Sequence, residues 1–252
     1  PQRGGIRSGF TIAKLADHHY YVVSAGAAER YDSDFLQKRL PTDGSVALRN
    51  ITGSRGVFVL VGPRARDVMA KLTDVPLDNS SFPWLTGQVI EAGLATDVYA
   101  LRVNFVGSLG WELHFPIEYA HGLFDAIFAA GADYGIGMAG MRAMESLRME
   151  KSYRMWGSDL TRDNTPLEAG LARFVRMDKG PFTGREALEQ QQKNGVPLSF
   201  VTLEVHGVTD ADPLGNEPIF APDGRLVGRA TSGYFGHCLL KSLAIGYVKP
   251  EF

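Results

Sequence analysis

The sequence predicts an α+β fold built from split βαβ lobes and completed by a C-terminal β-barrel module. Three observations carry that expectation. Period-two and helical stretches alternate irregularly over roughly the first 150 residues. One helical stretch follows near residue 184, and only short strands separated by turn signals come after it.

Taken in order, Phe10–Leu15 and Tyr20–Ser24 are β-rich runs around the polar Ala16–His19, which predicts an antiparallel hairpin. Ala27–Leu40 spaces Tyr31, Phe35, Leu36 and Leu40 as a half-buried helix does. Val57–Val61 reads as a buried strand, and Gly62-Pro63 then starts a helix over Arg64–Leu72. Gln88–Ala92, Val98–Phe105 and Trp111–Phe115 are strand-like, and Ile117–Ala130 is an amphipathic helix; the order suggests a split βαβ lobe. A second long helix, Ala139–Tyr153, is expected to turn Met141, Met144, Leu147 and Met149 inward and Arg142, Arg148, Lys151 and Arg154 outward. Gly184–Asn194 is a helix stopped by Gly195 and Pro197. Strands are expected at Phe200–Val205, Pro218–Phe220, Leu226–Thr231 and Leu243–Val248, with Pro222-Asp223-Gly224 as a turn between two of them. Met155, Trp156, Tyr234 and Phe235 are expected in ordinary core packing.

Composition narrows the classes of function. The 252 residues carry 26 Lys+Arg against 28 Asp+Glu, a formal charge of −2. Without a global basic field, neither nucleic acid nor an anionic membrane surface is an expected partner. The longest apolar stretches fall short of the roughly 20 residues a membrane helix needs. The opening Pro1–Gly5 leads into no apolar signal-peptide core. A single cysteine, Cys238, excludes an intrachain disulfide framework and a multi-cysteine zinc site. A soluble intracellular protein is expected, cytoplasmic or in the mitochondrial matrix. His18 and His19 are adjacent, and neighbours on a strand face opposite ways, so a polar hairpin turn is favoured over a shared metal.

Catalytic signatures of the familiar kinds are missing: no Walker-A loop, no G-x-S-x-G elbow, no H-E-x-x-H. Nor is there a G-x-G-x-x-G dinucleotide fingerprint, so a self-contained FAD or NAD domain is not expected. The informative segment is Asn104–Phe115 (NFVGSLGWELHF). Two glycines three apart permit a tight turn, and Trp111-Glu112 opens a strand. Alternation sends the Glu112 carboxylate to the face opposite Trp111 and Leu113. There it is either a solvated strand glutamate or an acceptor of two parallel N–H bonds from a flat, amidine-like edge such as a pterin presents.

That segment resembles the Y-x-G-E-x-G-(W/F/Y)-E turn of the glycine cleavage T-protein (aminomethyltransferase) superfamily, and more closely the C-terminal half of dimethylglycine and sarcosine dehydrogenases. Further resemblances follow in chain order from about residue 4 to residue 249. They are Tyr20–Gly26 (YYVVSAG), Val59–Ala65 (VLVGPRA), Ser146–Gly157 (SLRMEKSYRMWG), Asp159–Thr161, Thr165–Leu171 (TPLEAGL), Phe182–Leu188 (FTGREAL), Gly228–Gly233 (GRATSG) and Lys241–Val248 (KSLAIGYV).

The resemblance implies a T-protein-like, multi-lobe folate-binding fold around a central tetrahydrofolate pocket. It implies a partial first α/β lobe over 1–49 whose N-terminal part is absent, and a second lobe over 50–150. A segment over 151–180 returns to the first lobe, and the C-terminal barrel covers 181–252. Glu112 then corresponds to the pterin-binding glutamate and Tyr21 to a pocket tyrosine. Phe105 stands where the family usually has tyrosine, which keeps a stacking ring and loses a hydroxyl. Arg142 is the candidate for the folate-contacting arginine, offset by two residues from the T-protein pattern.

Two departures stand out. Ser8 and Gly9 occupy the places of the family's acidic pair, so the catalytic carboxylate is replaced by glycine, and Ser108 replaces the first glutamate of the turn. Proton transfer by such a group commonly contributes about 10²–10⁴-fold. The implied function is a tetrahydrofolate-binding one-carbon (aminomethyl or methylene) transfer module of a dimethylglycine/sarcosine dehydrogenase-like system. FAD is expected only on a missing segment or a partner chain, a flavin-containing dehydrogenase domain or subunit. The alternatives are a non-catalytic regulatory or assembly paralogue of this fold and a folate-dependent O- or S-demethylase.

Overall fold

The computed structural model describes residues 3–207 and 211–252. The chain forms two compact units, Phe10–Ala139 and a second that joins the segment up to Gly9 with Gly140–Phe252.

In the first unit, β1 (Thr11–Ala16) and β2 (His19–Val23) pair as the expected hairpin, and α1 (Glu29–Gln37) follows. This helix is shorter than its apolar spacing suggested. Asp32 is buried and Tyr31 exposed, so its inner face is rotated from the expected one. The main sheet contains β3 (Arg55–Val61), β4 (Gly87–Ala92), β5 (Ala95–Leu101) and β6 (Gly110–Pro116). Their spatial order is β3-β6-β5-β4, and each ladder is antiparallel. Helix α2 (Ala65–Met69) therefore lies on the path from one sheet edge to the other. Helix α3 (Ala120–Gly131) follows β6 after a 3-10 turn at Ile117–Tyr119.

Alternation builds the core of this unit. Phe58 and Leu60 of β3, Trp111, Leu113 and Phe115 of β6, Val98 and Ala100 of β5, and Ile90 of β4 meet Val68, Met69, Leu123 and Ile127 from the helices. Gly56 sits opposite Phe115, and an added Cβ would overlap that ring. Each fully buried Leu or Phe contributes about 1.5–3 kcal/mol.

In the second unit, α4 (Met141–Glu150) and α5 (Arg185–Asn194) precede a sheet of β7 (Ser199–Val205), β8 (Pro218–Phe220), β9 (Leu226–Gly236) and β10 (Lys241–Val248). The order is β7-β10-β9-β8, again antiparallel. Met149 packs with Leu243 and Ile245, and with the half-buried Phe200 and Tyr234.

Helix α4 corrects one expectation. Arg148 was expected outside and is buried, whereas Met141 was expected inside and is 70% exposed. The cause is Asp159, fully buried at 0% exposure. Its Oδ2 accepts from Arg148 Nη1 at 2.7 Å and from the Met155 amide at 2.8 Å. Its Oδ1 accepts from Thr231 Oγ1 at 2.5 Å and Ser232 Oγ at 2.7 Å. Arg148 also donates to Glu145, the Tyr153 carbonyl and Ser232. A helical pattern scored on hydropathy reads arginine as outward; a paired and fully bonded guanidinium reverses that.

Removing one partner strands the other charge. Asp159→Asn is expected to lower unfolding free energy by about 3–5 kcal/mol in urea denaturation; a loss below about 1 kcal/mol would contradict this assignment. Tyr247 donates to the Asp159 carbonyl at 2.7 Å, and burial, with the Asp159 charge adding, raises its phenol well above the usual 10.0. The folded state then holds this proton more tightly than the unfolded chain does. Its contribution is complete below about pH 10 and falls as pH rises beyond it. Tyr247→Phe is expected to flatten that limb of the stability–pH curve.

Candidate functional site

The site stands on the face of the first unit's sheet that lies opposite its core. The β5–β6 connection sets it up. Asn104 Oδ1 accepts from the amides of Val106 at 3.0 Å and Gly107 at 2.9 Å, and its Nδ2 donates to the Ser108 carbonyl at 2.8 Å. This is an Asx-type turn, and Gly107 supplies the left-handed residue in it at φ +68°. Gly110 begins β6 so close to β3 that a Cβ would overlap the Leu60 carbonyl oxygen. These constraints fix the start of the strand, and with it the side to which Glu112 points.

Cross-strand register places Glu112 beside Val59 and Leu101, and His114 beside Val57 and Tyr99. Tyr21 reaches the same group from β2. Its Oη lies 3.1 Å from His114 Nδ1, and His114 Nε2 lies 3.3 Å from Glu112 Oε2. The His114 side chain is 1% exposed and that of Glu112 22%. Tyr21 packs edge-on against Tyr99, with centroids 5.0 Å apart, and against the His114 ring at 5.4 Å. The Arg55 guanidinium lies over the Tyr99 ring at 4.2 Å and pairs with Asp97. Edge-to-face aromatic pairs add about 0.5–1.5 kcal/mol each beyond area burial. Burial pushes the Tyr21 phenol up, Arg55 pulls it down, and Tyr99 and Glu112 push it up again, leaving it raised on balance. Tyr21 therefore keeps its proton at neutral pH.

Of the residues singled out in the sequence, Tyr21 and Glu112 come together, joined through His114. Phe105 is half-buried in the β5–β6 connection. Arg142 is exposed in the first turn of α4, in the other compact unit. His18 lies in the β1–β2 turn and His19 opens β2, both exposed. Among the described residues, no group of three His, Cys, Asp or Glu could hold a metal, and no helix is long and apolar enough to cross a membrane. Sequence reasoning missed His114, Tyr99 and Arg55. His114 was within reach, because a residue two along a strand from Glu112 shares its face. Tyr99 and Arg55 required the register.

These elements define an aminomethyltransferase fold. The glycine cleavage system aminomethyltransferase T from Bartonella henselae superposes with a TM-score of 0.81 at 25% identity, over 98% of this chain and 65% of that one. The GCVT N-terminal domain matches residues 1–179, and the glycine cleavage T-protein C-terminal barrel domain matches residues 199–252. The chain belongs to the glycine cleavage T-protein family. It is 35% identical over 251 residues to the mitochondrial dimethylglycine dehydrogenase of Homo sapiens, covering 99% of this chain and 29% of that protein. It is 34% identical over 250 residues to the mitochondrial pyruvate dehydrogenase phosphatase regulatory subunit of Mus musculus, covering 97% and 28%. The chain thus spans less than a third of the length of these two relatives.

Gly110→Ala is expected to force β3 and β6 apart at the start of the site strand, costing about 1–3 kcal/mol in chemical denaturation. Gly9, where an added Cβ would meet nothing within 4 Å, should accept alanine with less than about 0.5 kcal/mol of change.

Proposed function

We propose that the chain binds a reduced folate through Glu112 and serves as the one-carbon transfer module of a dimethylglycine/sarcosine dehydrogenase-like system. One observation carries this reading. A part-buried carboxylate on a rigid strand has one oxygen held by His114 and the other, Oε1, with no hydrogen-bond partner among the described residues. Such an acceptor suits the amidine-like edge of a pterin, and the likeness to dimethylglycine dehydrogenase supports the assignment.

When bound, a reduced folate supplies the nitrogens that take up the one-carbon unit. In this reading Glu112 orients the ring by accepting its N–H donors. Tyr21 and Phe105 offer aromatic surface. FAD is assigned to another segment or a partner dehydrogenase, since no dinucleotide fingerprint occurs in this sequence. Of the two settings expected, mitochondrial matrix and cytoplasm, the first draws support from the likeness to mitochondrial relatives.

A second reading, a regulatory or assembly role without turnover, is favoured by Gly9 in the place of the family's acid and by the likeness to the phosphatase regulatory subunit.

Calorimetric titration with tetrahydrofolate tests the binding claim. Saturable binding is expected for the wild type, with Glu112→Ala weakened about 10–100-fold, as the loss of a charge-assisted bond implies. No saturable binding by the wild type would sink the folate reading. Gly9→Asp separates the two roles. With a flavin dehydrogenase supplying the iminium, transfer should rise by about 10²-fold if the chain is a transferase short of its acid. An unchanged rate would favour the regulatory role.

A further inference from the structure

His114 is buried on the outer sheet face with both ring nitrogens engaged, Nδ1 to Tyr21 Oη at 3.1 Å and Nε2 to Glu112 Oε2 at 3.3 Å. Hydrogen accounting allows the neutral ring only one tautomer. An ionised carboxylate only accepts, so Nε2 must carry the hydrogen. The other nitrogen then has a lone pair and no hydrogen, so the Tyr21 hydroxyl must donate to it. Tyr21 is able to do so because its phenol, raised by burial, stays protonated. The single hydroxyl hydrogen is thereby consumed inside the protein. What these groups keep after that bonding is the remaining lone pairs of Tyr21 Oη and the second oxygen of Glu112. With the ring neutral, none of these atoms offers a hydrogen.

We propose that His114 is a positioning residue that locks Tyr21 and Glu112 as hydrogen-bond acceptors, so that the site selects a flat donor–donor edge and rejects one carrying an acceptor. This deepens, and rests on, the folate reading above. It adds a specificity rule and names the residue that enforces it. A site whose buried polar groups demand particular partners discriminates far more strongly than an apolar pocket, because the wrong ligand leaves them unpaired. His114 acts through its neighbours and is not itself assigned contact with the ligand.

The test has two arms on the full chain. In the ligand-free protein, long-range ¹⁵N–¹H correlation spectra should show His114 carrying its hydrogen at Nε2 and none at Nδ1, and Tyr21→Phe should shift its Nδ1 resonance. A ring protonated at Nδ1, or nitrogen resonances indifferent to Tyr21→Phe, would overturn the proposal. In the ligand arm, His114→Phe should weaken tetrahydrofolate binding about tenfold, and His114→Gln, which keeps an N–H for Glu112, should return within about threefold of wild type. Pterin should compete with tetrahydrofolate, and lumazine, in which a carbonyl oxygen replaces the exocyclic amine, at least about tenfold more weakly. Equal binding by wild type, His114→Phe and His114→Gln, or equal competition by the two pteridines, would overturn it. Should the wild type bind no tetrahydrofolate, the folate reading falls, and the tautomer measurement still decides the arrangement around His114.

Discussion

Period-two alternation along β6 is the constraint on which both the first unit's core and its site depend. Trp111, Leu113 and Phe115 are 0–1% exposed and fill the core, while Glu112 and His114 lie between them in sequence and face the other way. A slip of one residue would bury the carboxylate and expose the indole. The antiparallel ladder to β3, the close approach at Gly110 and the room left for Phe115 by Gly56 all fix the same register. The hydrophobic energy of one face thereby sets the geometry of the other. A part-exposed carboxylate held this way needs little further ordering to accept a hydrogen bond.

The two units use buried polar groups in opposite manners. Asp159 is a closed system: its oxygens accept from Arg148, the Met155 amide, Thr231 and Ser232, and no solvent reaches it. Such a network ties α4 and the loop after it to β9, and Tyr247 extends the tie to β10. Glu112 is an open system. One oxygen is committed to His114, and the carboxylate remains partly exposed with no bond to the other oxygen among the described residues. A fully satisfied buried network such as that around Asp159 holds elements together, whereas the part-exposed Glu112 retains capacity to accept.

The strands and helices were legible because their signals are local. The β1–β2 hairpin, the strands around Val57–Val61 and Trp111–Phe115, and the helix stopped by Gly195 stand where alternation and glycine punctuation put them. The orientation of α4 was not, because hydropathy alone cannot see that a distant aspartate neutralises Arg148. Alternation beside a glycine turn showed which face Glu112 takes, and only the family resemblance singled it out as a candidate site residue. Its anchor, His114, follows from the same period. The bracing of Tyr21 by Tyr99, and of Tyr99 by Arg55, depends on which strands pair, and strand order β3-β6-β5-β4 is not written in any one segment.

In the folate reading proposed above, a pterin edge meets Glu112 on the outer face of β6. A crystal structure of the chain with tetrahydrofolate tests it most directly. The account predicts the exocyclic amine and adjacent ring N–H within about 2.7–3.2 Å of the Glu112 carboxylate, with His114 still bridging Glu112 and Tyr21. A folate bound with its pterin away from β6, or a Glu112 that turns to solvent in the complex, would contradict it.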